Sequence, residues 1–148
     1  MVDPMAAVTW MRPEDEDAVR RLYAQGHPGW PDRPAEWFYA YPTLLVEQKG
    51  RIAGFTSFSL GMLTGALVLH GQDVVVEPES RGRRLGHALH QARLDVGRNV
   101  GATSFSGVTA EDNLPMQRIF QAAGHHACQT VRGYYPDGST GVIWVGAL

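Results

Sequence analysis

Along the chain, apolar positions switch between the two-residue rhythm of strands and the three-to-four-residue rhythm of helices. "AVTW", Ala7–Trp10, reads as a short opening strand. "RPEDEDAVRRLYAQG" then carries helix signals: Pro13 suits a first turn, acids crowd the positive helix start, and Gly26 marks the stop. Ala18, Val19 and Leu22 supply its apolar face. "HPGWPDRPAEWFYAYP" is too broken by proline for a long element and predicts a loop with a short helix near Glu36–Tyr39. "TLLVEQKGRIAGFTSFSL" predicts two strands around a Lys49-Gly50 turn, and "GALVLHGQDVVVE" a further long strand.

A helix is expected over Leu85–Val100, with Leu85, Leu89, Ala92 and Val96 along one face. "TSFSGVTA" predicts a strand, and "DNLPMQRIFQAAG" a capped helix with Met116, Ile119, Phe120 and Ala123 at core spacing and Gly124 as its stop. The tail "HACQTVRGYYPDGSTGVIWVGAL" predicts a hairpin turning at Pro136-Asp137-Gly138. This order implies an α/β (α+β) sandwich around a mixed, largely antiparallel sheet. No repeat or linker interrupts it, so residues 1–148 are expected to form one domain.

Composition narrows the function classes. A formal net charge of -2 argues against a nucleic-acid backbone or an anionic membrane as the main partner. The lone Cys128 excludes an internal disulfide and a cysteine-based zinc site, which suits a reducing compartment. "AGFTSFSLGMLTGALVLHGQ" has no acidic or basic residue, yet its many Gly, Ser and Thr residues fit two strands better than a membrane span. The N-terminus shows no basic-then-apolar leader, so the expected location is cytoplasmic.

The chemistry concentrates where an extended run becomes a helix, at "VVVEPESRGRRLGHAL". The first N–H groups of a helix lack partners within it and carry partial positive charge. Gly82 and Gly86 allow close backbone approach, and Arg81, Arg83 and Arg84 add charge. Such a turn suits a diphosphate. It is neither a Walker loop nor a dinucleotide fingerprint, since both spacings fail.

This stretch resembles the acetyl-CoA-binding motif of the GCN5-related N-acetyltransferase (GNAT) superfamily, with Arg83, Gly86 and Ala88 at the pattern positions and "VEP" at the expected offset. "EDNLPMQRIFQAAG" resembles the later helix of the same superfamily. The resemblance implies helices on both faces of the sheet and splayed fourth and fifth strands. It implies acetyl-CoA as co-substrate without a metal, bound by Val74, Val75 and Val76 along the strand, by Gly82, Arg83, Arg84, Leu85, Gly86 and His87 around the pyrophosphate, and by Asn113 nearby.

The implied reaction is attack of an amine on the thioester, with a backbone N–H near Val74 stabilising the oxyanion. His70 is the candidate base and Asp73 the runner-up. Where many members carry a Tyr as general acid this chain has Phe120, leaving Tyr134, Tyr135 or water. His87 and His90 are expected on the surface, and His125 and His126 beside a helix stop that favours positive charge. Trp30, Trp37, Phe38, Tyr39 and Tyr41 divide between core packing and an acceptor pocket.

The leading expectation is an acetyl-CoA-dependent N-acetyltransferase acting on a small-molecule or peptide amine. The alternatives are an acyl-CoA-binding protein without catalysis, motivated by Phe120, and a nucleic-acid surface at "RGRR", which the negative net charge opposes. The strand-ended tail "GVIWVGAL" is compatible with a homodimer.

Overall fold

A computed structural model describes residues 7–148. The expectation that no secretory leader begins the chain, read on "MVDPMAAVTWMRPEDED", falls in part on residues 1–6, which lie outside the described residues. The elements run β1 (Val8–Trp10), a 3-10 turn (Pro13–Asp15), α1 (Glu16–Gly26), α2 (Ala35–Tyr39), β2 (Thr43–Gln48), β3 (Arg51–Leu63) and β4 (Ala66–Val76). A second 3-10 turn (Pro78–Ser80) leads to α3 (Leu85–Asn99), β5 (Ser104–Ala110), α4 (Leu114–Ala122), β6 (His126–Val131) and β7 (Gly141–Ala147). The seven strands hydrogen-bond in the order β1-β2-β3-β4-β5-β7-β6. β4 and β5 pair in parallel, whereas β1–β2, β2–β3, β5–β7 and β6–β7 are antiparallel. The uncharged stretch from Ala53 to Gln72 forms β3 and β4, and no helix among the described residues is long and apolar enough to cross a membrane.

The chain divides into two compact units, one formed by the segment up to Phe58 with Asp73–Arg93, the other by Ser59–Gln72 with Leu94–Leu148. In the first, strand alternation sends side chains to two helical layers. Val19, Leu22 and Tyr23 of α1 and Phe38 of α2 bury against Leu45, Phe55 and Val75. On the other face Val46 packs with Leu85 and Leu89 of α3, and Val74 and Val76 join them. α3 lies close to β3, because a Cβ at Gly54 would stand 3.2 Å from the Leu89 side chain and 2.8 Å from the Val75 carbonyl. Helices therefore cover both faces of these strands, as expected.

The buried stripe of α3 is more polar than the sequence suggests. Leu85 and Leu89 are buried, but Ala92 and Val96 are only half-buried, and Arg93 is 1% exposed. Its Nη1 donates to the Ser57 carbonyl at 3.0 Å and the Asp73 carbonyl at 3.4 Å, and its Nε donates to His90 Nδ1 at 2.9 Å. His90 is thus buried, not at the surface. It lies one turn before Arg93 on the same helix face and accepts that arginine's proton. Burial pulls the Arg93 pKa down to about 9, with the Asp73 carboxylate opposing the shift, so the guanidinium stays charged at neutral pH.

The second unit centres on an aromatic cluster. Phe105 of β5 meets Phe120 of α4 at 5.3 Å between centroids, and Phe120 meets Trp144 of β7 at 5.8 Å. The Trp144 indole N–H donates to Thr109 Oγ1 at 2.9 Å. His125 departs from expectation: it is buried and stacks on Phe105 at 4.3 Å, because the Gly124 turn (φ +85°) sends the chain inward. His126 is exposed. The β6–β7 connection turns as expected at Asp137-Gly138, where Ser139 donates to the Asp137 carboxylate through both its backbone N–H and its hydroxyl and holds that carboxyl below its usual range.

Arg93→Met is expected to lower stability by about 2–5 kcal/mol, because two buried carbonyls and an imidazole nitrogen lose a charged donor. Urea unfolding measures this, and an unchanged midpoint would show that the guanidinium makes no net contribution.

Candidate functional site

The last residues of β4 present their backbone in an ordered way. Asp73 N–H donates to Ser57 Oγ at 3.2 Å and Glu77 N–H to the Ala53 carbonyl at 2.8 Å, both on β3. Successive strand N–H groups point to opposite edges, so those of Val74 and Val76 point away from β3. On the β5 side the ladder is short. It joins Val68 to Ser104, Leu69 to Phe105 and His70 to Ser106 and ends there, although β4 continues to Val76 and β5 to Ala110. Beyond His70 this ladder does not continue. The side chain of Val75 is buried, and those of Val74 and Val76 are half-buried.

From β4 the chain enters a turn held by a buried acid. Glu77 is 1% exposed, and its carboxylate accepts from Arg51 Nη2 at 2.6 Å and from Ser80 Oγ at 2.8 Å, with Arg21 Nη1 at 3.7 Å. This anchors the 3-10 turn Pro78–Ser80. Gly82 then adopts φ +82° and Arg84 φ +59°, two left-handed steps that reverse the chain into α3. Arg81, Gly82, Arg83 and Arg84 are exposed, Leu85 is buried, and Gly86 and His87 are half-buried. The i to i−4 bond of Ala88 goes to the Arg84 carbonyl at 3.1 Å, so the N–H groups of Leu85, Gly86 and His87 precede the helical ladder. Burial and the neighbouring Arg84 charge lower the His87 pKa below the ordinary 6.5. The turn therefore holds exposed cations, helix-start donors and a histidine biased towards its neutral form.

The remaining expected residues occupy distinct settings. In the second unit His70 is half-buried on β4, with Nδ1 2.5 Å from Ser106 Oγ of β5. Asn113 caps α4, its side-chain oxygen accepting Met116 N–H at 3.2 Å, which leaves its amide NH2 as a donor outside that cap. Phe120 is buried among aromatics and has no proton to donate. Tyr134 is exposed and meets Tyr135 edge-on at 5.0 Å. In the first unit Asp73, the runner-up base, accepts from or pairs with His27 Nε2 at 2.9 Å. His27 in turn stacks on Trp30 at 4.5 Å. Of the aromatic segment, Phe38 is core, Trp30, Trp37 and Tyr41 are half-buried, and Tyr39 is exposed.

A strand edge that runs on past its parallel ladder into a glycine turn and a helix start is the arrangement of one class of protein. The acetyltransferase (GNAT) family matches residues 8–125, and the chain belongs to that family. Its members transfer an acetyl group from acetyl-CoA to an amine, and the residues here fit that co-substrate: a strand edge for an extended arm, and a cradle where a Cβ on Gly82 would meet nothing within 4 Å.

Individual relatives follow the same line. A Bacillus subtilis protein named for ribosomal protein bS18-alanine N-acetyltransferase activity is 25% identical over 147 residues, covering 95% of each chain. The fold is similar to that of the ribosomal-protein-S18-alanine N-acetyltransferase from Escherichia coli, with a TM-score of 0.80, 18% identity, and coverage of 97% of this chain and 94% of that one. It is also similar to NAA60 of Arabidopsis thaliana solved with acetyl-CoA, with a TM-score of 0.87, 11% identity, and coverage of 97% and 99%.

The sequence reading missed the residues that hold these groups in place: Arg93, Thr56, Glu77, His27 and Ser106. One of them carried a signal. Arg93 follows Leu85 and Leu89 at four-residue spacing, so a charge stands on the apolar stripe. Glu77 stands in the "VEP" triplet, but its arginine partners, like the partners of Thr56, His27 and Ser106, are distant along the chain.

Removing the Arg84 charge by Arg84→Gln is expected to raise the His87 pKa towards 6.5, followed by NMR titration. Because the folded value lies below the unfolded one, the stability contributed by this histidine is present above about pH 6.5 and is lost as pH falls through the folded value. An unmoved pKa would leave burial as its sole cause.

Proposed function

We propose that residues 1–148 act as one domain that acetylates a primary amine by direct attack on the acetyl-CoA thioester. The observation that carries this reading is the backbone edge of Val74 and Val76 leading into the Gly82–His87 turn. The co-substrate supplies an acyl group on a thiol leaving group. Val74 and Val76 bind its extended arm through backbone N–H and C=O groups, with Val75 anchoring the strand in the core. Gly82, Arg83, Arg84, Leu85, Gly86 and His87 surround the diphosphate, and Asn113 supplies a further donor. In the transfer, the amine nitrogen bonds to the acetyl carbon, the carbon–sulfur bond breaks, and the sulfur leaves as thiolate. His70 accepts the proton that the amine loses, and the Val74 N–H faces the developing negative oxygen.

The proton chemistry favours a weakly basic acceptor. A protein α-amine, with pKa near 7.7–8.0, is roughly a tenth neutral at pH 7, whereas a lysine amine is less than a thousandth neutral. A histidine base without a tyrosine acid suits the former. The names of the relatives, which acetylate ribosomal-protein alanine, support the same acceptor class, the α-amine of a protein or peptide. A second reading, an acyl-CoA-binding protein with little catalysis, rests on Phe120.

Acetyl-CoA at about one hundred times its dissociation constant is expected to stabilise the protein by about 2.7 kcal/mol, a rise of a few degrees in Tm, with no effect from matched ATP or NAD. Gly86→Glu should abolish the shift by placing a side chain and a like charge in the phosphate cradle; a normal shift in that variant would overturn the assigned turn. His70→Ala should lower kcat by about 10²–10⁴ while leaving acetyl-CoA affinity intact. An unchanged kcat in that variant would reassign the base, and absence of turnover with any peptide or small amine in the unaltered protein would favour the second reading.

A further inference from the structure

The carbonyl of Asp73 is bound by two side chains. Thr56 Oγ1, fully buried on β3, donates to it at 2.7 Å, and Arg93 Nη1 donates more weakly at 3.4 Å. The other polar groups of the same residue are also held: its N–H by Ser57 Oγ at 3.2 Å and its carboxylate by His27 Nε2 at 2.9 Å. That carbonyl and the N–H of Val74 belong to one planar, conjugated peptide unit. They point in opposite directions, the oxygen towards β3 and the N–H towards the opposite edge of β4, along which the ladder with β5 ends at His70.

We infer that Thr56 and Arg93 act as positioning residues for the Asp73–Val74 peptide, holding its plane and polarising it so that the Val74 N–H is a strengthened, preorganised oxyanion donor. This rests on the reading of Val74 given above. Donors on a carbonyl draw electron density towards oxygen and leave the amide nitrogen more positive, so the N–H on the far side becomes the better donor. A cation among those donors enlarges the effect, and Arg93 is a buried charge whose influence little water screens. The restraint matters as much as the polarity, because a donor that is already aimed need not reorganise when charge appears on the thioester oxygen. A threonine serving only to satisfy a buried carbonyl would leave the far side of the peptide unchanged.

Two measurements on Thr56→Val, which removes the hydroxyl at nearly constant shape, separate these cases. In the free protein, the Val74 amide proton should move upfield in the NMR spectrum, and Thr56→Ser should return it. In the infrared difference spectrum of bound acetyl-CoA labelled with carbon-13 at the thioester carbonyl, the unaltered protein should lower the stretching frequency relative to free acetyl-CoA. Thr56→Val should give back part of that shift while changing acetyl-CoA affinity by no more than about twofold, and Thr56→Ser should restore it. A Thr56→Val protein that binds with the full frequency shift, or whose Val74 proton does not move, overturns the inference. An unaltered protein that binds acetyl-CoA without any frequency shift instead removes Val74 as oxyanion donor, whatever the amide proton does.

Discussion

Where a strand is held along one edge, its remaining backbone groups are presented on the other, and the last third of β4 is organised around that constraint. Its ladder with β5 ends at His70. Beyond that point Thr56, Ser57 and the buried Arg93 on the β3 side take up the backbone groups of Asp73. The edge that remains carries the N–H groups of Val74 and Val76, which gives an extended ligand a strand to pair with. Stability and function thus draw on the same few hydrogen bonds: the donors that make β4 tolerable in the interior also determine which of its groups face outward.

Charge is arranged around the same strand. The buried Glu77 carboxylate gathers Arg51, Arg21 and Ser80 and fixes the 3-10 turn, so the following residues leave β4 in a defined direction. Past that anchor every formal charge up to His87 is positive and exposed, at Arg81, Arg83 and Arg84. Arginines at a helix start add to its partial positive charge, and the His87 pKa is lowered by burial first and by the Arg84 charge second. The turn is therefore electropositive locally in a chain whose formal net charge is -2, as the proposed diphosphate site requires.

The proton-handling groups are fewer than the fold would permit. Phe120, which the family resemblance sets where many members carry a tyrosine, is packed with Phe105 and Trp144 as part of the core. A thiol leaves tolerably as thiolate, so this loss is smaller than it would be for an alkoxide. His70, paired with Ser106, is the proposed base, and the Asp73 carboxylate is engaged by His27. Such a site is best matched to an amine that gives up its proton readily, which links the substitution at Phe120 to the proposed acceptor class.

Much of this was legible in the sequence because it is local. Alternation and helical spacing located every strand and helix, and the "RGRRLGHAL" turn declared itself through glycine positions and charge. The stretch "DNLPMQRIFQAAG" read as a capped helix, and the family resemblance marked Phe120 as the position of an absent acid. What the sequence could not determine were pairings between distant positions: His27 with Asp73, His70 with Ser106, Arg93 with the carbonyls of Ser57 and Asp73. His90 illustrates the reason. Its spacing suited a surface, but a buried arginine one turn away needed an acceptor, and that need exists only once α3 is laid against β3 and β4. Residue type and spacing settle which element forms and which groups it can offer; burial decides which of those groups must find a partner, and burial is a property of the packed chain.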